Sequence, residues 1–265
     1  MVHVAVGQFA PSEDTSDNLD AVRRFAEQAQ QQGASLLVLP EYSSFTAPRF
    51  DGRIVENAES LDGPFVTAVA QMARQRELAI VAGMIERTPE RQTAYNTVVM
   101  VGPDGDLAAT YRKVHLYDAL GVRESEWIEP GEHSETPVME IDGMRFGVQT
   151  CYDLRFPEST RVLLDAGADV VIVVAQWVPG PLKQDHWATL LRARAIENTA
   201  YVLAAGQCSP TGSGHSMIVD PMGVVIAGIG DRVGLISADV QRDRIARVRE
   251  ANPVLSARRF HVAPN

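Results

Sequence analysis

The chain has 265 residues, 45% of them hydrophobic and 22% charged, with a net charge of −10. It is long enough to bury a large core and too acidic to offer the basic face that nucleic acids or anionic membranes require. Its two cysteines, Cys151 and Cys208, lie far apart without CxxC spacing, which argues against a disulfide framework and a zinc site and for a reducing, cytoplasmic setting. No apolar run has the length of a bilayer span, and the apolar start lacks a basic flank, so no signal peptide is expected.

Residues 2–9 (VHVAVGQF) alternate like a strand, and 11–17 form a polar loop with helix-capping residues. A helix is predicted over 18–32, with Leu19, Val22, Phe25, Ala26 and Ala29 on one face and Gly33 closing it. The apolar strand 35–39 (SLLVL) ends at Pro40 and leaves Glu41 at its carboxyl end, where open α/β sheets bind ligands. Residues 42–63 show no period and read as a loop able to line a pocket, with Phe45 as a candidate wall. A helix over 65–76, strands over 78–85 and 94–101, and a GPDG turn at 102–105 follow. Its Asp-Gly pair supplies positive φ angles. The returning strand, 107–116, carries Lys113, and a loop over 117–135 carries Glu124, Glu126 and Glu129.

The strand 144–149 runs into Cys151, Pro157 is expected to stop the extended chain, and 158–166 has helical spacing with Glu158 in its first turn. A cysteine on such a strand-to-helix connection is exposed at a sheet edge beside free backbone N–H groups. Strand, helix and strand then repeat over 169–175, 184–198 and 201–205, with Trp177 at a strand's carboxyl end as a further pocket candidate. Residues 217–219 and 224–226 flank an Asp-Pro-Met-Gly turn and predict a hairpin. The last helix is read over 240–250, and 252–265 as a tail lying along a surface or a partner subunit. No linker or composition shift divides the chain, which reads as one domain over 1–265.

Singly, Glu41 and Lys113 would be surface charges and Cys151 a core thiol. Together they suit attack on a carbon–nitrogen bond. A carboxylate beside a thiol can take its proton and hand it to the leaving amine. An ammonium opposite can stabilise the oxyanion of a tetrahedral intermediate and favour the thiolate, whereas the carboxylate disfavours it.

The segments LPEY (39–42), YRKVHLYD (111–118), RESEWIEPG (123–131) and TCYDLRFPE (150–158) resemble the signature of the nitrilase superfamily, the carbon–nitrogen hydrolases with a Glu-Lys-Cys triad. LLRARAIEN (190–198) and GHSMIVDPMG (214–223) are similar to the Nit branch, which holds ω-amidases and deaminated glutathione amidases. The resemblance implies an α-β-β-α sandwich, usually a homodimer, that acts on a small-molecule amide and requires no metal or organic cofactor. It puts the base on Glu41, the lysine on Lys113, the nucleophile on Cys151 and a second glutamate on Glu124, with Glu126 as the competing position. It further implies an oxyanion donor at the Tyr152 N–H and a carboxylate-binding role for Arg155, against which stands an ion pair of Arg155 with Glu158 or Asp153. Nitrilase or N-carbamoyl hydrolase chemistry would use the same triad, and a non-catalytic binding module is the alternative of another class.

His115, His186 and His215 could each serve a Cys-His pair, but nothing in the sequence orients them. GSGHSM (212–217) has only the first two glycines of a dinucleotide fingerprint and no following helix pattern. Arg192, Arg194 and Glu197 share a helix with Trp187 and Leu191, where ion pairing that fixes packing is expected.

Overall fold

The computed structural model describes residues 1–90, 92–132 and 136–263. The end of the loop expected over 117–135 and the end of the tail expected over 252–265 therefore fall on residues 133–135 and 264–265, outside the described residues. The first half comprises β1 (Val2–Gln8), α1 (Thr15–Gln31), β2 (Leu36–Val38), α2 (Arg53–Glu56), α3 (Pro64–Arg76), β3 (Ala79–Arg87), β4 (Ala94–Val101), β5 (Leu107–Arg112) and the short β6 (Ile128–Glu129). The second comprises β7 (Val138–Ile141), β8 (Met144–Thr150), α4 (Pro157–Asp165), β9 (Val170–Ala175), α5 (Lys183–Asn198), β10 (Tyr201–Gly206), β11 (Met217–Val219), β12 (Val225–Gly228), β13 (Gly234–Val240) and α6 (Arg242–Ala251).

Among the described residues these strands form two sheets, ordered β13-β1-β2-β3-β4-β5 with β6 beside β4, and β12-β11-β10-β9-β8-β7. The period-2 alternation of each strand sorts its side chains between two interfaces. Val4 and Val6 of β1, Leu36 and Val38 of β2, and Val81 of β3 meet Phe146, Val148, Ile172, Val174 and Leu203 of the second sheet in a core between the sheets. The intervening Ala5, Leu37, Ile80 and Ala82 face the other way, against Val22, Phe25 and Ala26 of α1 and Phe65, Val69 and Met72 of α3. On the far side, Val171, Val173, Val202 and Ala204 pack on Leu163 of α4 and Trp187, Leu191 and Ala195 of α5. The layers are thus α, β, β, α, the sandwich that the resemblance implies.

Asp14 caps α1 by accepting the Ser16 and Asp17 N–H groups at 2.8 and 3.2 Å, which starts that helix before residue 18. The segment 240–250 is corrected: Val240 ends β13, which pairs antiparallel with β1 from Val2↔Val240 to Gln8↔Gly234, and the helix begins at Arg242. The β13 side chains are mostly half-buried, so the strand has no strong apolar alternation to read. Pro157 does not stop the extended chain either. β8 ends at Thr150, Cys151–Arg155 form a 3-10 turn, and Pro157 opens α4, where its missing N–H costs nothing. The strand expected over 107–116 ends at Arg112, with Lys113 just past it. In the 102–105 turn only Gly105 has positive φ, at 81°. Along the tail, Arg258 pairs with Asp165 of α4 in the same chain.

Candidate functional site

Parallel strands deliver their carboxyl ends to one edge of the sandwich, and the site is assembled there from both sheets. Glu41 follows β2 through Leu39 and Pro40, and the next residue, Tyr42, takes φ +56°. The Glu41 Oε1 accepts hydrogen bonds from Asn96 Nδ2 at 2.6 Å and Lys113 Nζ at 3.1 Å. Its Oε2 accepts the backbone N–H of Gln176, which follows β9 in the other sheet, and its carbonyl accepts from Gln207 Nε2 at 2.8 Å. One carboxylate therefore joins the two sheets.

Lys113 is anchored by its N–H donating to the Asn96 carbonyl at 2.8 Å and by its own carbonyl accepting the Gly131 N–H at 2.8 Å. Its side chain is 2% exposed, and Nζ lies 3.0 and 2.8 Å from the two Glu124 oxygens. Glu124 opens a one-turn 3-10 helix and also accepts from the Tyr42 hydroxyl at 2.8 Å, Asn96 Nδ2 at 3.1 Å and the Tyr117 N–H at 2.6 Å. Glu126 instead points to solvent, 3.9 Å from Arg123. Of the two glutamates weighed from sequence, Glu124 is the one in the cluster. Burial alone would lower the Lys113 pKa, but Glu124 and Glu41 outweigh it and hold the ammonium well above its ordinary value.

Cys151 begins the 3-10 turn with φ +46°, a left-handed conformation that L-residues rarely adopt and that occurs at functional sites. The residue is 7% exposed, and its thiol donates toward the Gln176 carbonyl at 3.7 Å. Burial first, and then the Glu41 carboxylate, push this thiol well above its ordinary pKa, with Lys113 opposing. The thiol is therefore held protonated with a carboxylate in reach, an arrangement that can support general-base activation.

Asp153 braces this turn. Wholly buried, it accepts from the Thr150 N–H at 3.0 Å, the Tyr111 hydroxyl at 2.7 Å and the His115 N–H at 3.0 Å, with His115 Nδ1 at 2.8 Å. Tyr111 and His115 flank Lys113, so Asp153 couples the lysine segment to the cysteine turn. His115 stacks on Phe156 with ring centroids 3.8 Å apart, and His186 Nδ1 lies 3.4 Å from Arg155 Nη2. No histidine lines the cavity among the described residues.

A cavity of about 160 Å³ opens onto the cluster, lined by Glu41, Lys113, Glu124, Cys151, Tyr152 and Trp177 of the residues singled out from sequence. Tyr42, Tyr117, Gln176 and Lys183 line it too. Phe45 is corrected: within the 42–63 segment it is buried with Ile54 and Ala58 against Ile85 of β3 and does not line the cavity. Arg155 does not line it either; its guanidinium lies 4.9 Å from the centroid of the Trp177 ring. The expected pairing of Arg194 with Glu197 is present at 3.0 Å, and Arg194 Nη2 also donates to the Leu154 carbonyl at 2.6 Å, behind the cysteine turn. Sequence reasoning missed Asn96, although a lone amide in the apolar run AYNTVVMV was a signal of a buried polar role. Tyr42, Gln207 and Lys183 carried no such signal.

A thiol, two carboxylates and a buried ammonium are drawn from both sheets of an α-β-β-α sandwich to one cavity, the fold and cluster of a nitrilase-type carbon–nitrogen hydrolase. The chain belongs to the carbon–nitrogen hydrolase family, which residues 3–250 match. It is 38% identical over 258 residues to the deaminated glutathione amidase of Escherichia coli O157:H7, covering 97% of each chain. It is 34% identical over 266 residues to the omega-amidase NIT2 of Xenopus tropicalis, covering 95% of this chain and 93% of that one. Saccharomyces cerevisiae Nit3, a member of branch 10 of the nitrilase superfamily, superposes with a TM-score of 0.86 at 29% identity, over 98% of this chain and 97% of that chain. The protein is a hydrolase of carbon–nitrogen bonds other than peptide bonds. No helix of the described residues is long and apolar enough to cross a membrane.

Proposed function

We propose that the protein hydrolyses a small, linear, carboxylate-bearing amide to its acid and ammonia through a thioester on Cys151. The observation that carries this reading is the shared hydrogen-bonded cluster of Glu41, Lys113 and Glu124 beside a buried thiol held at φ +46°. Sγ attacks the amide carbon while Glu41 takes the thiol proton. The developing oxyanion is met by the Lys113 ammonium and the Tyr152 N–H. Glu41 passes its proton to the nitrogen, the carbon–nitrogen bond breaks, and ammonia leaves. Glu41 then deprotonates a water that attacks the thioester, and Cys151 departs with that proton. Glu124 remains the counter-ion of Lys113 throughout, which leaves Glu41 free to carry protons.

The names of the relatives support a deaminated glutathione amidase or ω-amidase as the substrate class. Trp177 forms a wall of the site, and Arg155 adds positive charge beside it that favours carboxylate-bearing substrates. The chain acts as one domain without metal or organic cofactor, as a homodimer in the cytoplasm. Ammonia release from α-ketoglutaramate, deaminated glutathione, matched neutral amides, a nitrile and an N-carbamoyl compound tests the reading. Turnover of the nitrile or carbamoyl compound in preference to the amides would overturn it.

A further inference from the structure

One charged group in the cavity has no place in the steps above. Lys183 lines the cavity, is 5% exposed, and has no acidic partner among the described residues. Its ammonium rests on two aromatic faces, 4.6 Å from the Trp177 ring centroid and 5.0 Å from that of Tyr117. The acids that share the cavity, Glu41 and Glu124, are already engaged with Lys113 and Asn96.

The position is unfavourable in two further respects. Lys183 opens α5, so its cation lies at the positive end of a helix. The chain reaches it through Leu182, a branched residue at φ +58°. Its backbone is nonetheless held closely, with the N–H donating to the Gly180 carbonyl at 3.2 Å and the carbonyl accepting from Trp177 Nε1 at 2.7 Å. Burial, with Arg155 adding to it and Cys151 opposing, lowers the Lys183 pKa. A buried amine with only aromatic partners is a charge that awaits a counter-ion.

We propose that Lys183 is the specificity-determining residue that receives the substrate's remote carboxylate, with the amide end at Cys151 and the connecting chain between Tyr117 and Trp177. This deepens the amidase reading and rests on it. A carboxylate entering the cavity pairs with the ammonium, while the two aromatic faces exclude water from the pair and strengthen it. A neutral amide of the same length leaves the charge unpaired.

The test compares kcat/KM for succinamate and butyramide, in which a methyl group replaces the carboxylate, in wild type, Lys183→Met and Lys183→Arg. The wild-type preference for succinamate should fall about 10- to 100-fold in Lys183→Met, mainly through KM, and be partly restored in Lys183→Arg. Activities unchanged on both substrates would overturn the assignment, and an equal loss on both would overturn it by placing Lys183 at the reacting end. Succinate binding measured by calorimetry needs no turnover and separates the two readings. Succinate that binds wild type and Lys183→Met alike overturns the role of Lys183 alone. Binding that depends on Lys183 in a protein releasing no ammonia supports that role and overturns the amidase reading.

Discussion

Gly83 stands directly against the backbone of Glu41: a Cβ placed on it would lie 2.6 Å from the Glu41 Cα and 2.6 Å from the Tyr42 nitrogen. The Gly83 N–H donates to the Pro40 carbonyl at 3.1 Å, so β3 sets the height at which the chain leaves β2. Gly83→Ala must push Glu41 away from Lys113 and Cys151. The substitution should cost about 1–3 kcal/mol of stability and lower kcat by about 100-fold. Urea unfolding and ammonia release measured together check this, and a fully active variant would show that the Glu41 position is not set by this approach.

Cys151→Ala should reduce ammonia release by on the order of 10⁴-fold or more while leaving the circular dichroism spectrum and cooperative unfolding intact. Retained turnover would sink the nucleophile assignment.

Removing the cation isolates two carboxylates that share Asn96 Nδ2, at 2.6 Å from Glu41 and 3.1 Å from Glu124. Lys113→Met should therefore destabilise the protein by about 3–5 kcal/mol and leave it inactive, because one acid must then hold a proton. Adding Glu124→Gln should recover part of the stability and none of the activity. A double variant no more stable than Lys113→Met would contradict this pairing.

The Cys151 thiol titrates well above its ordinary 9.0 in the folded protein, and the Lys113 ammonium well above its ordinary 10.5. A raised pKa means that the folded state binds more protons above the unfolded value. The stabilisation is thus complete below about pH 9 and is lost as pH rises through the folded pKa values. Stability should decline on the alkaline side, less steeply in Cys151→Ala. Denaturant midpoints from pH 7 to 11 measure the difference, and identical slopes would contradict the raised thiol pKa.

Asp153→Asn removes one acceptor oxygen from a site that pairs with four donor atoms on Thr150, Tyr111 and His115. The loss should cost about 1–3 kcal/mol and lower kcat with little effect on KM, since the coupling of Lys113 to Cys151 loosens while the cavity walls stay. Steady-state kinetics decide it: a change confined to KM would assign Asp153 to substrate binding instead.

Much of the fold was legible because most strands are buried on both faces and most helices are amphipathic, so local pattern and burial agree. The exceptions have local reasons. β13 is only half-buried, and its partner β1 lies at the other end of the chain, so neither composition nor period announces it. The 3-10 turn at Cys151–Arg155 has the composition of an ordinary loop, and its shape depends on Asp153 meeting Tyr111 and His115 from another sheet. Phe45 packs with Ile54, Ala58 and Ile85 instead of lining the cavity, and Lys183, which no local pattern singled out, lines it.

The sequence by itself determined the chemistry available, since Glu41, Lys113 and Cys151 each follow or end an apolar run and together resemble a carbon–nitrogen hydrolase. The layer order came with that resemblance, since the order of strands and helices fits an α-β-β-α sandwich without choosing it over another α/β fold. The structure shows how alternation along each strand divides apolar side chains between a sheet–sheet core and two helix–sheet cores. Only the tertiary structure decided that Glu124 rather than Glu126 holds the lysine, that Asn96 and Gln207 hold Glu41, and that Lys183 rather than Arg155 faces the cavity. Those choices turn on which atoms of the two stacked sheets come within about 3 Å of one another, and that distance is set by long-range packing and register rather than by the order of neighbours along the chain.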